Sequence, residues 1–219
     1  MMADLGIFYR IVLGLLGGAQ VALQIAAGAF CIALLGGMLL AATVTFVRWQ
    51  PLHLAIAAYI EWMRNIPALA HLFVLYFGLA TFDIRLSPMA AAILGLGLVG
   101  AAVLCDVFAA GLQCIHAGQR EAALAVGLSP RQALQHILFP QMFRLSWPAL
   151  ANYSSQLVKD TSIASAIAAP EVMFFARNLV TSTFETTLIY LAAMLVYAGM
   201  VLPVSWGFAR AERLMEARR

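Results

Sequence analysis

Between Arg10 and Arg48 the chain carries no charged side chain. An apolar run of that length has few places to go other than a lipid bilayer. A helix crossing the hydrocarbon core needs about 20 residues, so the run is too long for one upright span. The expectation is a lead-in at the interface up to about Gly18 and a first span over 19–46, tilted if it stays helical throughout. Composition agrees: 63% of the 219 residues are hydrophobic and only 11% are charged, against about 25% charged in soluble domains. The fold class expected is all-α integral membrane, as a single transmembrane domain over 1–219. The opening MMADLGIFYR has no basic n-region and no small-residue cleavage site, so no cleaved signal peptide is expected.

Four further spans follow, over 65–80, 89–110, 149–169 and 187–208, giving five in all. Arg48-Trp49-Gln50-Pro51 ends the first at an interface. Residues 53–64 read as a surface helix on which Glu61 and Arg64, three apart, can pair. Pro67 then breaks the second span near its start, and a broken helix needs protein or an aqueous path to satisfy the freed backbone. Gly14 and Gly18 with Ala22, Ala26, Ala29 and Ala33, and later Gly95, Gly97 and Gly100, suit close helix packing; lipid-facing alanine is the plainer alternative. The fourth span carries Lys159, Asp160, Thr161 and Ser162 near its middle. A charge at that depth costs at least ~2.5–3.5 kcal/mol. Adjacent residues point about 100° apart on a helix and cannot neutralise each other directly. These groups therefore face protein, water or a second subunit, as a polar pathway or as a network locking helices. Residues 168–185 read as a loop with an amphipathic turn, and Pro203 as a kink in the fifth span.

The cationic residues are unevenly placed. Arg48, Arg64, Arg120, Arg131, Arg144, Arg210, Arg213, Arg218 and Arg219 fall on one side of this topology. Arg10, Arg85 and Arg177 fall on the other, among Asp4, Asp83, Glu171 and Glu185. The positive-inside rule puts the first set in the cytoplasm, with the N-terminus outside and the C-terminus inside. The net charge of +3 belongs to these loops and implies no nucleic-acid partner. Three cysteines and four scattered histidines have no metal-ligand spacing. There is no phosphate-binding GxxxxGK[ST] loop and no catalytic constellation, so no enzyme, metal or cofactor is expected on this chain.

The largest polar island is Glu121 to Pro140, EAALAVGLSPRQALQHILFP, within the loop 113–147. Good helix formers run up to Val126. Gly127 then stands where a left-handed residue closes a helix. Ser129 is an N-cap, Pro130 suits the first turn, and Gln132 completes a capping box. Pro140 is expected to end the second helix. A cytoplasmic helical hairpin would need no more than this.

The spacing Glu121-Ala122-Ala123, Gly127, Ile137, Pro140 resembles the EAA loop of bacterial ABC-importer permeases. Glu61-x-x-Arg64-Asn65-Ile66-Pro67 and Lys159-Asp160-Thr161-Ser162 are similar to segments of the polar amino-acid permeases (histidine, glutamine and arginine type) in that family. The resemblance covers about Gly17 to Leu214. It implies a type I ABC-importer permease in a bacterial inner membrane, carrying a polar amino acid or a related compound. Glu121, Ala122, Ala123, Gly127, Ile137 and Pro140 would couple to the ATPase. Lys159, Asp160, Thr161, Ser162, Glu61 and Arg64 would line the path or an interface. Partners implied are two ABC ATPase subunits, which hold the ATP and Mg, a second permease subunit, an extracytoplasmic solute-binding protein, and the lipid bilayer. The chain departs from the pattern at Ile66 (usually threonine), His71 (usually glutamine), Asp106 (usually glutamate), Ala109 (usually arginine), His116 (usually proline) and Ala117 (usually lysine). Without an arginine at 109, the partner of Asp106 is open. An energy-independent secondary transporter or a structural membrane subunit is the alternative.

Overall fold

The computed structural model describes residues 2–217, and within these the chain is helical with no strands. Arg218 and Arg219 of the basic tail lie outside the described residues, as does the side chain of Asp4. Helix α1, Met2–Phe46, takes in all of the charge-free run but its last residue, without the separate lead-in expected. At 1.5 Å per residue it is about 68 Å long, well beyond a hydrocarbon core of about 30 Å. Apolar sequence alone therefore does not mark where it enters the bilayer.

Helix α2 (Gln50–Asn65) leads to Ile66 and Pro67, and α3 (Ala68–Phe73) follows. Proline disfavours the helical conformation at its predecessor, and Ile66 is extended at φ −100°, ψ 136°. The chain bends by 104° between Gln50–Asn65 and Ala68–Phe82. Beyond α3 the chain winds through a π turn, Val74–Gly78, and a 3-10 turn, Leu79–Phe82. Helix α4 (Pro88–Gln113) starts on Ser87, whose Oγ accepts from the Ala90 N–H at 3.2 Å.

Helices α5 (Ala117–Ala125) and α6 (Pro130–Ala133) form the polar bracket. Pro140 does not end the second of them. A π turn at Leu134–Leu138 intervenes, and the chain runs on as α7, Phe139–Asp160. Proline lacks the N–H of the ladder and crowds the carbonyl four residues back. A wider turn just before it relieves both conflicts. Pro148 likewise lies inside α7. A 3-10 segment, Thr161–Ile167, continues the chain. Where a loop with a turn was expected there is a regular helix, α8 (Val172–Thr183), and α9 (Thr186–Glu216) then runs unbroken past Pro203. Among the described residues, three helices are long and apolar enough to cross a membrane, or up to five spans if each bent pair counts as one.

The core is a seam between α1 and α4. Ala22, Ala26, Ala29 and Ala33 of α1 are buried against it, so the expected small-residue face is a packing face. A Cβ on Gly37 would lie 2.7 Å from the Leu104 Cβ, and one on Gly97 2.7 Å from the Ile32 Cβ. Dense packing rewards such close approach where both solvents, lipid and core, are apolar. Gly14 has nothing within 4 Å, whereas a Cβ on Gly18 would sit 2.6 Å from the Val172 backbone nitrogen. Only the second glycine of that pair is used, and it seats α8 on α1.

Candidate transport path and coupling surface

The polar bracket is built as its residue types dictate. His116 caps α5, its Nδ1 accepting from the Gly118 N–H at 3.1 Å. Gly127 closes α5 at φ +86°. Its N–H donates to the Leu124 carbonyl at 3.0 Å, and the Leu128 N–H donates to the Ala123 carbonyl at 3.2 Å. This is a left-handed helix stop that satisfies carbonyls otherwise left free. Two residues on, the Gln132 N–H donates to Ser129 Oγ and the Ser129 N–H donates to Gln132 Oε1, at 3.3 and 2.9 Å. Ala123 and Ala133 of the two short helices are buried, Leu138 is buried in the core with Leu104 and Phe108, and Ile137 is half-buried. Glu121, Ala122, Leu124, Val126, Gly127 and Pro140 are exposed, Val126 by 78%. The bracket thus offers a fixed edge of one carboxylate among small and apolar groups.

Lys159 is exposed and Asp160 half-buried. They stand at the C-terminal end of α7, where the α-helix gives way to the 3-10 segment, instead of midway along a regular helix. Asp160 Oδ1 accepts from Gln156 Nε2 at 2.8 Å. Thr161 is fully buried and its hydroxyl donates to the Val158 carbonyl at 2.8 Å; Ser162 is half-buried and its carbonyl accepts from the Ser165 hydroxyl at 2.8 Å.

The pairing expected of Glu61 with Arg64 does not form. Arg64 reaches across to α4 and pairs with Asp106, and Glu61 accepts from Asn65 Nδ2 at 2.6 Å. Glu61 is within reach of Arg64 along the helix, whereas Asp106, on another helix, is brought close only by the packing of α2 on α4. Asp106 therefore has a cationic partner even with alanine at 109. A cavity of about 450 Å³ opens here, lined by Arg64, Asn65, Ile66, Pro67, Val99 and Val103.

Sequence reasoning missed Glu171. It is fully buried, caps α8 by accepting from the Phe174 N–H at 2.9 Å, and also accepts from the Tyr197 hydroxyl of α9. A buried carboxylate survives only when so bonded. The signal was faint: an acidic residue just before Val172-Met173-Phe174-Phe175 is a helix start, but Tyr197 lies far along the chain.

Residues 33–218 match the family described as "Binding-protein-dependent transport system inner membrane component". The chain is similar to the "Probable glutamine ABC transporter permease protein GlnM" of Bacillus subtilis (strain 168), at 34% identity over 84% of this chain and 87% of that one. It is also similar to the "Probable amino-acid permease protein YxeN" of the same organism, at 36% identity over 84% and 83%. Among solved structures, the fold is shared with a chain of the "Crystal structure of an amino acid ABC transporter with histidines", with a TM-score of 0.84, 24% identity, and coverage of 97% and 98%.

Proposed function

This chain belongs to the binding-protein-dependent transport system inner membrane components, the permeases of ABC importers, and on that premise we propose how its parts divide the work. It is an inner-membrane permease of the amino-acid class. Five spans cross the bilayer, with the two bent helix pairs counted as one each, the N-terminus outside and the C-terminus inside. The arginine distribution supports that orientation. Two permease subunits, identical or related, enclose the path at their interface. ATP and Mg bind two separate ATPase subunits, and a solute-binding protein delivers a polar amino acid or related compound from outside.

One observation carries the coupling role. Helix α5 is held between a start capped by His116 and the left-handed stop at Gly127, yet its Glu121–Ala122 edge is uncovered. Such an edge transmits a push only if another subunit seats on it. ATPase closure then moves α5, and α5 moves the bundle between inward and outward states. Lys159, Asp160, Thr161 and Ser162 form the polar element of the path, with Arg64 and Glu61 flanking its other wall.

Purification of the tagged protein from its host in a mild detergent, with mass spectrometry of what co-elutes, tests this. An ATPase subunit that is lost on disrupting Glu121 to Gly127 is the expected result. A homogeneous permease without ATPase, under conditions that preserve other such complexes, would refute it.

A further inference from the structure

The break at Pro67 leaves a second cavity beside the first. It measures about 220 Å³ and shares Met63 and Ile66 with its larger neighbour. Trp62, Ala70, His71, Val74, Gly95 and Leu98 complete most of its wall. Its polar side-chain atoms are the Trp62 indole nitrogen and the two His71 ring nitrogens. His71 is only 9% exposed, and neither of its ring nitrogens has a hydrogen-bond partner. A buried polar group in that condition bears the full loss of its hydration unless something bonds it. A trapped water is a poor candidate, because it would need two to four polar partners and, apart from the largely exposed Trp62, the side chains of this wall supply His71 alone.

We propose that this cavity is the side-chain subsite of the transport path, and that His71 hydrogen-bonds the polar tip of the transported amino acid. The inference rests on the amino-acid-permease reading above and deepens it. The volume lies below the ~300–1,000 Å³ of sites for drug-sized ligands, and it suits a single side chain. No charged residue lines it, so an ammonium, guanidinium or carboxylate tip would be stranded without a counter-ion. A neutral tip that both donates and accepts, a carboxamide above all, meets an imidazole on either nitrogen. Its aliphatic stem lies along Trp62, Val74 and Leu98. The charged α-carboxylate and α-ammonium groups stay in the larger cavity, where Arg64 and Asn65 are.

Equilibrium dialysis of the purified intact transporter complex against radiolabelled glutamine, leucine, lysine and glutamate tests this. Glutamine should bind tightest. His71→Leu should weaken glutamine about tenfold while leaving leucine, which has similar bulk and no polar tip, unchanged; His71→Gln should restore it. A structural role for His71 would move both ligands together. Glutamine binding within about twofold of the parent in His71→Leu would overturn the proposal, as would a parent preference for lysine or glutamate. Should His71→Leu fail to assemble, Ala70→Leu fills the same cavity from another wall: glutamine should be lost, and undiminished binding would overturn the assignment. ATP-driven uptake by the same complex in proteoliposomes separates the two levels. Uptake with unaltered glutamine binding in the variants sinks the subsite alone, and absence of any ATP-driven amino-acid uptake sinks the importer reading with it.

Discussion

Gly127 offers a clean perturbation of the coupling bracket. Its φ is +86°, and a Cβ built there meets nothing within 4 Å. Replacing it therefore introduces backbone strain with no packing clash. For alanine the left-handed conformation costs roughly 1–2 kcal/mol, and a β-branched valine costs more because its side chain is also restricted. Since about 1.4 kcal/mol is a factor of ten in an equilibrium, Gly127→Ala should shift the closed α5 stop toward an unclosed one by roughly five- to thirtyfold. The bonds at stake are those from the Gly127 and Leu128 N–H groups to Leu124 and Ala123. They lie in an exposed segment away from the α1–α4 seam, so global stability should barely change. The assay is transport per ATP hydrolysed in proteoliposomes, alongside thermal unfolding in detergent. Graded uncoupling, with valine worse than alanine and an unchanged melting temperature, is expected. Full coupling in Gly127→Val would refute the argument that the left-handed stop sets the helix in place.

Gly18→Ala should act through packing instead: its Cβ would lie 2.6–2.8 Å from backbone atoms of Glu171 and Val172, so α8 must move off α1, at about 1–3 kcal/mol, seen as a lower thermal midpoint. Glu171→Ala removes both the α8 cap and the acceptor for Tyr197; a double-mutant cycle with Tyr197→Phe should give a coupling energy of about 0.5–3 kcal/mol, and Glu171→Gln should keep most of the stability because its amide oxygen still caps the helix. The Arg64–Asp106 pair is half-exposed on both sides, at 52% and 46%, so Asp106→Asn should change unfolding stability by no more than about 1 kcal/mol. A larger loss would mean that the pair is covered in the assembled transporter.

Some of this protein could be read without coordinates because the causes are local. Absence of charge over 11–47 forces a membrane helix whatever its neighbours do. The left-handed stop at Gly127, the Ser129–Gln132 capping box and the extended Ile66 before Pro67 are each decided by covalent geometry within a few residues, and each stands as the residue types require. Local rules misjudged Pro140, where a π turn lets the helix continue through a residue that ends helices in isolation. They also paired Arg64 with Glu61, its nearest carboxylate along the helix. Only tertiary structure could set Arg64 beside Asp106, Tyr197 against Glu171, and His71 without a partner in a largely apolar wall. The reason is physical: helix caps and turns are decided by bonds a few residues long. Which buried polar groups meet, and which are left unsatisfied, depends instead on how helices far apart in the chain are packed together.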